Sequence, residues 1–223
     1  MNITKILQRV QDAEHAAHRH PGDVQILAVS KGQSAEELSK AFDAGLRHFG
    51  ESYWQEASQK IQTLSNLPIC WHFIGPLQSN KSRLIASHFS WVHSLSRSKI
   101  ATLLNEGRPP SLPSLNVCLQ VNLDDEITKS GITPESLTTL ASDVLKCPRL
   151  NLRGLMVIPK PSSDEQQQYL SFLRATHLLA QLNLQLNLSL DTLSMGMSDD
   201  LEAAIRAGST MVRIGRAIFG ART

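Results

Sequence analysis

The chain has 223 residues, 41% of them apolar and 19% charged, with 22 basic against 20 acidic side chains and a net charge of +2. That length suits one α/β barrel, which reaches about 250 residues as a single domain, and the charge balance gives no reason to expect nucleic acid as a partner. No run approaches the roughly 20 apolar residues of a membrane span, and the first eleven residues lack the apolar core of a signal peptide, so a cytoplasmic protein is expected.

Strand and helix signals alternate from end to end. Thr4–His18 has the pattern of a leading surface helix. Val24–Lys31 is a short, nearly continuous apolar run of the kind that forms a parallel strand buried on both faces. Ser34 with Glu37 makes a capping box that opens a helix to Ala44. Strands are then expected at Leu46–Ser52, Ile69–Gly75 and Trp91–Leu95, with helices over 54–64, 81–87 and 98–106 between and after them. Three prolines make Arg108–Ser114 a loop.

Asn116–Leu123 is the fifth strand, and Thr133-Pro134 has the form of an N-cap and a first-turn proline opening a helix to Lys146. Leu150–Ile158 is the sixth strand, followed by a long helix from Ser163–Gln166 to Leu182. Leu190–Gly196 is the seventh, with Asp199 and Asp200 expected in the first turn of the next helix. Met211–Gly215 is the eighth, and Ala217–Gly220 is long enough for one helical turn. Eight such units predict an α/β fold: a single (β/α)8 TIM-like barrel with an extra N-terminal helix, spanning residues 1–223 as one domain.

Function in this architecture collects where strands end at the C-terminal face. Those ends carry Lys31, Glu51-Ser52, His72–Gly75, His93, Gln120–Asn122, Met156, Ser194–Ser198 and Arg213–Arg216. Lys31 shares a face with Leu27 and Val29 by the period of two. It either snorkels to solvent or serves as an amine able to form a Schiff base. Ser194-Met-Gly-Met-Ser198 and Gly215-Arg216 are either ordinary helix caps or an anion site after strands 7 and 8. Arg213 needs an acceptor, either a carboxylate of the barrel or a ring nitrogen of a bound cofactor. A phosphate-bearing aldehyde would satisfy the lysine and the anion site together.

Other features carry less. His15, His18 and His20 read as a solvated face, the glutamines at 166–168 as an exposed helix side, and Trp54 and Trp91 as packing residues. Cys70, Cys118 and Cys147 are odd in number and widely spaced, fitting neither a disulfide framework nor a zinc motif, and are expected to be reduced and mostly buried.

Six motifs then stand together in one order: AVSK (28–31), HFGESYWQE (48–56), WHFIGPLQSNK (71–81), QVNLDDEITKSGI (120–132), LRGLMVIP (152–159) and LSMGMSDDLEAAIRAGSTMVRIGRAIFGAR (193–222). By them the chain resembles the pyridoxal phosphate homeostasis protein family, the YggS/PROSC-like proteins, whose barrel is related to the alanine racemase N-terminal domain. The resemblance implies pyridoxal 5′-phosphate (PLP) held as an imine on Lys31, phosphate around Ser194, Gly215 and Arg216, and Arg213 near the pyridine nitrogen. With the remaining strand-end residues, the cofactor-binding set expected is Lys31, Ser52, His72, Met156, Ser194, Arg213, Gly215 and Arg216, with no catalytic residue and no metal. Two positions depart from the family pattern: Ser52 stands where an asparagine is usual, and Arg216 where threonine or serine is common.

The implied role is to hold, buffer or deliver PLP inside the cell without established turnover. Amino acids and PLP-dependent apo-enzymes are the expected further partners, and the chain is expected to be a monomer because it shows no exposed apolar stripe. The alternative is a PLP-dependent amino-acid racemase. That reaction needs an acid/base on each face of the substrate; the racemases take their second group, a tyrosine, from a further domain not expected here, and the two tyrosines of this chain are Tyr53 and Tyr169. An aldolase using Lys31 without a cofactor fits the barrel but not the six motifs.

Overall fold

The computed structural model describes residues 2–124 and 130–220; residues 125–129 of the fourth motif and 221–222 of the sixth lie outside them. Eight parallel strands close into a barrel in sequence order. They are β1 (Gln25–Val29), β2 (His48–Glu51), β3 (Cys70–Phe73), β4 (Trp91–Leu95), β5 (Leu115–Val121), β6 (Leu150–Val157), β7 (Thr192–Ser194) and β8 (Met211–Ile214). β8 pairs back onto β1 with Leu27 opposite Arg213, which closes the ring.

The helices are α1 (Ile3–Ala16), α2 (Ala35–Asp43), α3 (Trp54–Thr63), α4 (Ser82–His88), α5 (Ser98–Gly107), α6 (Leu137–Leu145), α7 (Glu165–Leu186), α8 (Leu201–Arg206) and the single turn α9 (Arg216–Phe219). The α/β class, the TIM-like barrel and the extra N-terminal helix are as the sequence predicts. The main core is the ring between strands and helices. Strand residues such as Ile26, Ala28, Phe49, Phe73, Val92, Leu119, Leu155 and Val212 meet helix residues such as Leu38, Ile85, Leu104, Leu140 and Phe172 there. Alternate strand residues point inward, where Trp91, Cys118 and Met156 form a separate small cluster with Cys70. Trp54 packs on the outer core, so Trp54 and Trp91 are both packing residues.

Local chemistry explains where elements begin and end. The Ser34 side chain accepts from the Glu37 N–H and starts α2; the Asp164 side chain accepts from the N–H groups of Gln166 and Gln167 and starts α7. Four differences from the sequence expectations have physical reasons. Thr133 does not cap a helix: its hydroxyl lies 3.3 Å from that of Ser136, and a 3-10 turn over Pro134–Ser136 precedes α6. α7 runs a turn beyond Leu182, because the Asn183 side chain binds both N–H and C=O of Leu190 and carries the helix to Asn187 in the left-handed region. Asp199 and Asp200 fall before α8 rather than in its first turn, since Asp200 folds back to accept from the Met197 N–H at 2.6 Å. Lys31 lies two residues past the end of β1, not at its last position.

Candidate functional site

A cavity of about 280 Å³ opens at the C-terminal mouth of the barrel. It is lined by Lys31, Ser52, Met156, Arg213, Gly215 and Arg216 from the expected set, and by Val29, Met197, Ser198 and Asp199 among others. A second cavity of about 290 Å³ shares Ile74 and Ile158 with it. Each is close to the lower end of ligand pockets, about 300 Å³. The structure therefore brings six of the eight expected residues together. It places His72 and Ser194 elsewhere: both are fully buried inside the barrel and bonded to other side chains rather than lining the cavity.

The lysine is set by what surrounds its loop. Ser30 extends the ladder by one bond, its N–H donating to Gly50 C=O at 3.0 Å. Gly32 then turns the chain, and its N–H donates to a carboxylate oxygen of Glu56 at 2.5 Å. Behind the loop the Lys60 ammonium donates to Ser30 C=O, Glu51 and Glu56 at 2.5–2.7 Å, and the Ser30 hydroxyl donates to Glu51 at 2.6 Å. Burial raises the Glu51 carboxyl, with Lys60 acting against it. This buried ion pair holds the segment 30–32 from behind, so that Lys31 projects into the cavity. Among the described residues the Lys31 amine has no hydrogen-bond or ion-pair partner. Neither Lys60 nor Glu56 is singled out by the sequence. Their four-residue spacing on one helix is the signal that could have found them.

Gly75 shows how tightly the neighbouring wall is packed. A Cβ there would lie 2.0 Å from the Ser52 carbonyl oxygen, so only glycine lets β3 leave the barrel beside Ser52.

Arg213 is nine-tenths or more buried, and its pKa is lowered to about 10 by burial, with Asp200 acting in the opposite direction. Its acceptors are not a barrel carboxylate. Nη1 donates to Ser194 C=O at 2.5 Å and to Ser194 Oγ at 3.0 Å, and Nη2 donates to Val157 C=O at 3.0 Å. Three of the five guanidinium N–H groups are thus committed, and the rest of the fork belongs to a residue on the cavity wall.

The loop from Ser194 to Asp200 carries the second wall. Gly196 has φ +93°, and a Cβ there would meet the Ala204 methyl at 2.6 Å, so only glycine turns the loop so closely over α8. From α1, Arg9 donates to Ser198 C=O at 2.8 Å and pairs with Glu202, fixing the loop from outside. Of the two serines of this loop, Ser198 lines the cavity and Ser194 does not. Arg216 stands at the rim, largely exposed, 3.4 Å from Asp199.

Inside the barrel, side chains at alternate positions of β2, β3, β4, β7 and β8 form a continuous hydrogen-bonded line. His48 Nδ1 lies 2.9 Å from His72 Nε2, His72 Nδ1 lies 2.9 Å from His93 Nε2, and His93 Nδ1 lies 2.8 Å from Ser194 Oγ. Arginine can only donate. Ser194 Oγ therefore accepts from Arg213, and in one of the two polarities open to the line its own proton goes to His93 Nδ1. His93 and His72 then carry their protons on Nε2. Burial keeps both rings neutral: His72 is well below the usual histidine value, and His93 is lowered to about 3 by burial and the Arg213 charge. Trp91 stacks on His72, with ring centroids 5.5 Å apart and planes 9° from parallel. His72 and Ser194 thus sit behind Arg213 and hold its guanidinium toward the mouth.

A family model for the alanine racemase N-terminal domain matches residues 2–223. The pyridoxal phosphate homeostasis protein of Pseudomonas aeruginosa is 57% identical over 221 residues, covering 99% of this chain and 94% of that protein. The protein of the same name from Escherichia coli K12 is 50% identical over 224 residues, covering 99% and 95%. Among solved structures, PipY of Synechococcus elongatus with PLP bound superposes with a TM-score of 0.83 at 35% identity, over 95% of this chain and all of that one. Alanine racemase from Corynebacterium glutamicum shares the fold at a TM-score of 0.69 and 17% identity, and this chain covers 61% of it.

Proposed function

The chain belongs to the pyridoxal phosphate homeostasis protein family, and from that premise we propose that it holds PLP at the mouth of the barrel, attached through Lys31 Nζ, for storage or delivery inside the cell. One observation carries this reading: a lysine amine without a partner among the described residues and a buried arginine with donors uncommitted among them share one small cavity with a hydroxyl and a glycine turn. The donor set fits the cofactor. Its aldehyde suits a primary amine, its ring nitrogen a donor that cannot accept, and its phosphate the Ser198 hydroxyl, the Gly215 backbone and Arg216. We take residues 1–223 as one PLP-binding domain.

Each group has a separate task. Lys31 supplies the nucleophilic amine. Ser52 and Met156 line the cavity and would flank the ring, Ser52 with a short hydroxyl and Met156 with apolar contact. Arg213, held by the Ser194 and Val157 carbonyls, would offer a donor that cannot accept to the ring nitrogen, a pairing that would make the ring a weaker electron sink than one facing a carboxylate. His72 and Ser194 act through Arg213 rather than by touching the cofactor.

The same arrangement favours holding over racemisation. No tyrosine lines the cavity among the described residues. Tyr53 is largely exposed beside it, and Tyr169 lies on α7 beneath Arg206. General acid–base help is worth about 10²–10⁴-fold, so lacking a tyrosine opposite Lys31 would largely silence the reaction. The proposal includes amino acids as reversible ligands, PLP-dependent apo-enzymes as recipients, a monomeric state and a cytoplasmic location. No helix of the described residues is long and apolar enough to cross a membrane.

The experiment has two arms. Loaded protein in D₂O with L- or D-alanine should show no appreciable α-proton exchange, and loaded protein should reactivate a PLP-free enzyme faster than cofactor escapes into solution. Fast Lys31-dependent exchange would overturn the holding role. Reactivation no faster than free release would remove delivery and leave storage.

A further inference from the structure

The inner floor of the barrel, at the opposite end from the cavity, holds chemistry that the proposed function does not use. His48 is the first residue of β2 and Cys70 the first of β3, and the register sets them side by side. Cys70 and His72 are two residues apart on β3, so both face the same way as His48. One ligand atom from each of His48, Cys70 and His72 lies within 4.8 Å of the others. His48 and Cys70 are half-buried, which leaves a way in from solvent, whereas His72 is fully enclosed. None of the three lines the cavity at the mouth. Among the described residues no other trio of histidine, cysteine or acidic side chains converges in this way, and His15, His18 and His20 lie exposed and apart.

We propose that His48, Cys70 and His72 bind a zinc-class divalent cation on the inner floor of the barrel. Two imidazoles and a thiolate are borderline-soft donors, which suit zinc and its neighbours rather than magnesium or calcium. Three protein ligands leave a fourth tetrahedral position to water. Zinc lies about 2.0–2.1 Å from nitrogen and about 2.3 Å from sulfur, so ligand atoms in such a site stand roughly 3.3–3.6 Å apart. The His48–His72 pair, now 2.9 Å apart, has only to open slightly, and the thiol has to close in from within 4.8 Å.

The proton balance is simple. Binding forms two metal–nitrogen bonds and one metal–sulfur bond, breaks the His48–His72 hydrogen bond, and releases the thiol proton to solvent. His72 must then present the lone pair of Nε2, so its proton moves to Nδ1 and is donated to His93 Nε2. This is the outer hydrogen bond that metal-bound imidazoles usually make. His93 in turn donates from Nδ1 to Ser194 Oγ, whose two lone pairs accept from His93 and Arg213 together. The line of histidines accommodates the ion by reversing its polarity, with no ring becoming charged. The site runs against the expectation of no metal drawn from cysteine spacing, because its ligands come from two strands rather than from one sequence motif.

The test uses untagged protein free of PLP, so it does not depend on how the cofactor is held. Titration with Co²⁺ should saturate at one ion per chain, with a thiolate-to-cobalt charge-transfer band in the near ultraviolet that Zn²⁺ abolishes. Zinc should protect Cys70, and not Cys118 or Cys147, from alkylation as read by peptide mass mapping. Loss of an outer-shell partner costs metal sites about 10–100-fold, so loss of a direct ligand in Cys70→Ala should weaken zinc by more than about 100-fold and remove the band. His48→Gln should weaken zinc with the fold intact by circular dichroism, and serves as the test variant if Cys70→Ala does not fold. Cobalt binding without a thiolate band, or unchanged zinc affinity in both variants, would place the ion elsewhere, such as on His15, His18 and His20, and overturn the proposal.

Discussion

The mouth and the interior of this barrel use the same kinds of side chain in opposite ways. At the mouth, Lys31 has no partner among the described residues, and Arg213 spends only part of its donor fork on the protein. A few ångströms deeper, His48, His72, His93 and Ser194 pass one hydrogen bond to the next. A binding site is where hydrogen-bonding capacity is left over, and its geometry is set where that capacity is used up. Arg213 belongs to both regions, and this is why residues that never reach the cavity control its shape.

The largest expected effect is in the support behind Lys31. Lys60→Met leaves the Glu51 carboxylate buried without its counter-charge, and one Glu51 oxygen already lacks a hydrogen-bond partner among the described residues. Breaking a buried pair from one side costs about 3–5 kcal/mol, to be read from urea unfolding at neutral pH. Replacing both partners, Lys60→Met with Glu51→Leu, should recover much of it. A single variant as stable as the parent would show that the pair does not hold the lysine loop.

The interior comes next. His72 and His93 are held neutral with lowered pKa values, so protonation favours the unfolded chain. Their contribution is fully present above about pH 6.5, the unfolded value, and is lost as pH falls toward the folded value, by up to about 1.4 kcal/mol per unit for each ring. Glu51, raised by burial, acts with the opposite sign, its share being present at low pH and lost as pH rises through its folded value. Imidazole ¹⁵N spectra in chelator separate the two: His93 should keep an Nε2–H tautomer and show no titration from pH 7.5 to 5. A midpoint near 6.5 for His93 would break the line of hydrogen bonds.

The smallest effect sharpens the boundary between the regions. Hydrogen bonds to charged groups are worth about 1.5–3 kcal/mol, so Ser198→Ala should weaken PLP about tenfold or more and leave unphosphorylated pyridoxal nearly unchanged. Ser194→Ala should act on both ligands alike, through Arg213. A phosphate-selective loss at Ser194 instead would return the anion to the deeper serine.

How much of this was legible in the sequence follows from the same contrast. The barrel was, because β-branched runs and capping residues are local signals: the Ser34 cap, the Trp91–Leu95 strand and the proline loop at 108–114 stand where they were expected. Lys31, Arg213 and Gly215 were legible as polar or small residues closing apolar strands. Ser194 and Ser198 could not be told apart, because that depends on a left-handed glycine at 196 that turns one hydroxyl inward and leaves the other at the wall. His72 reads as a strand-end residue, but its place inside the barrel depends on His48 and His93 on neighbouring strands. Lys60 is not singled out by the sequence because the carboxylate that buries it, Glu51, comes from another element.

The central claim is that Lys31 carries the cofactor at the mouth. Protein saturated with PLP and treated with borohydride should yield one modified peptide, with the reduced adduct on Lys31, and Lys31→Ala should yield none while keeping its fold. An adduct on Lys81 or Lys129, or undiminished labelling of Lys31→Ala, would contradict it.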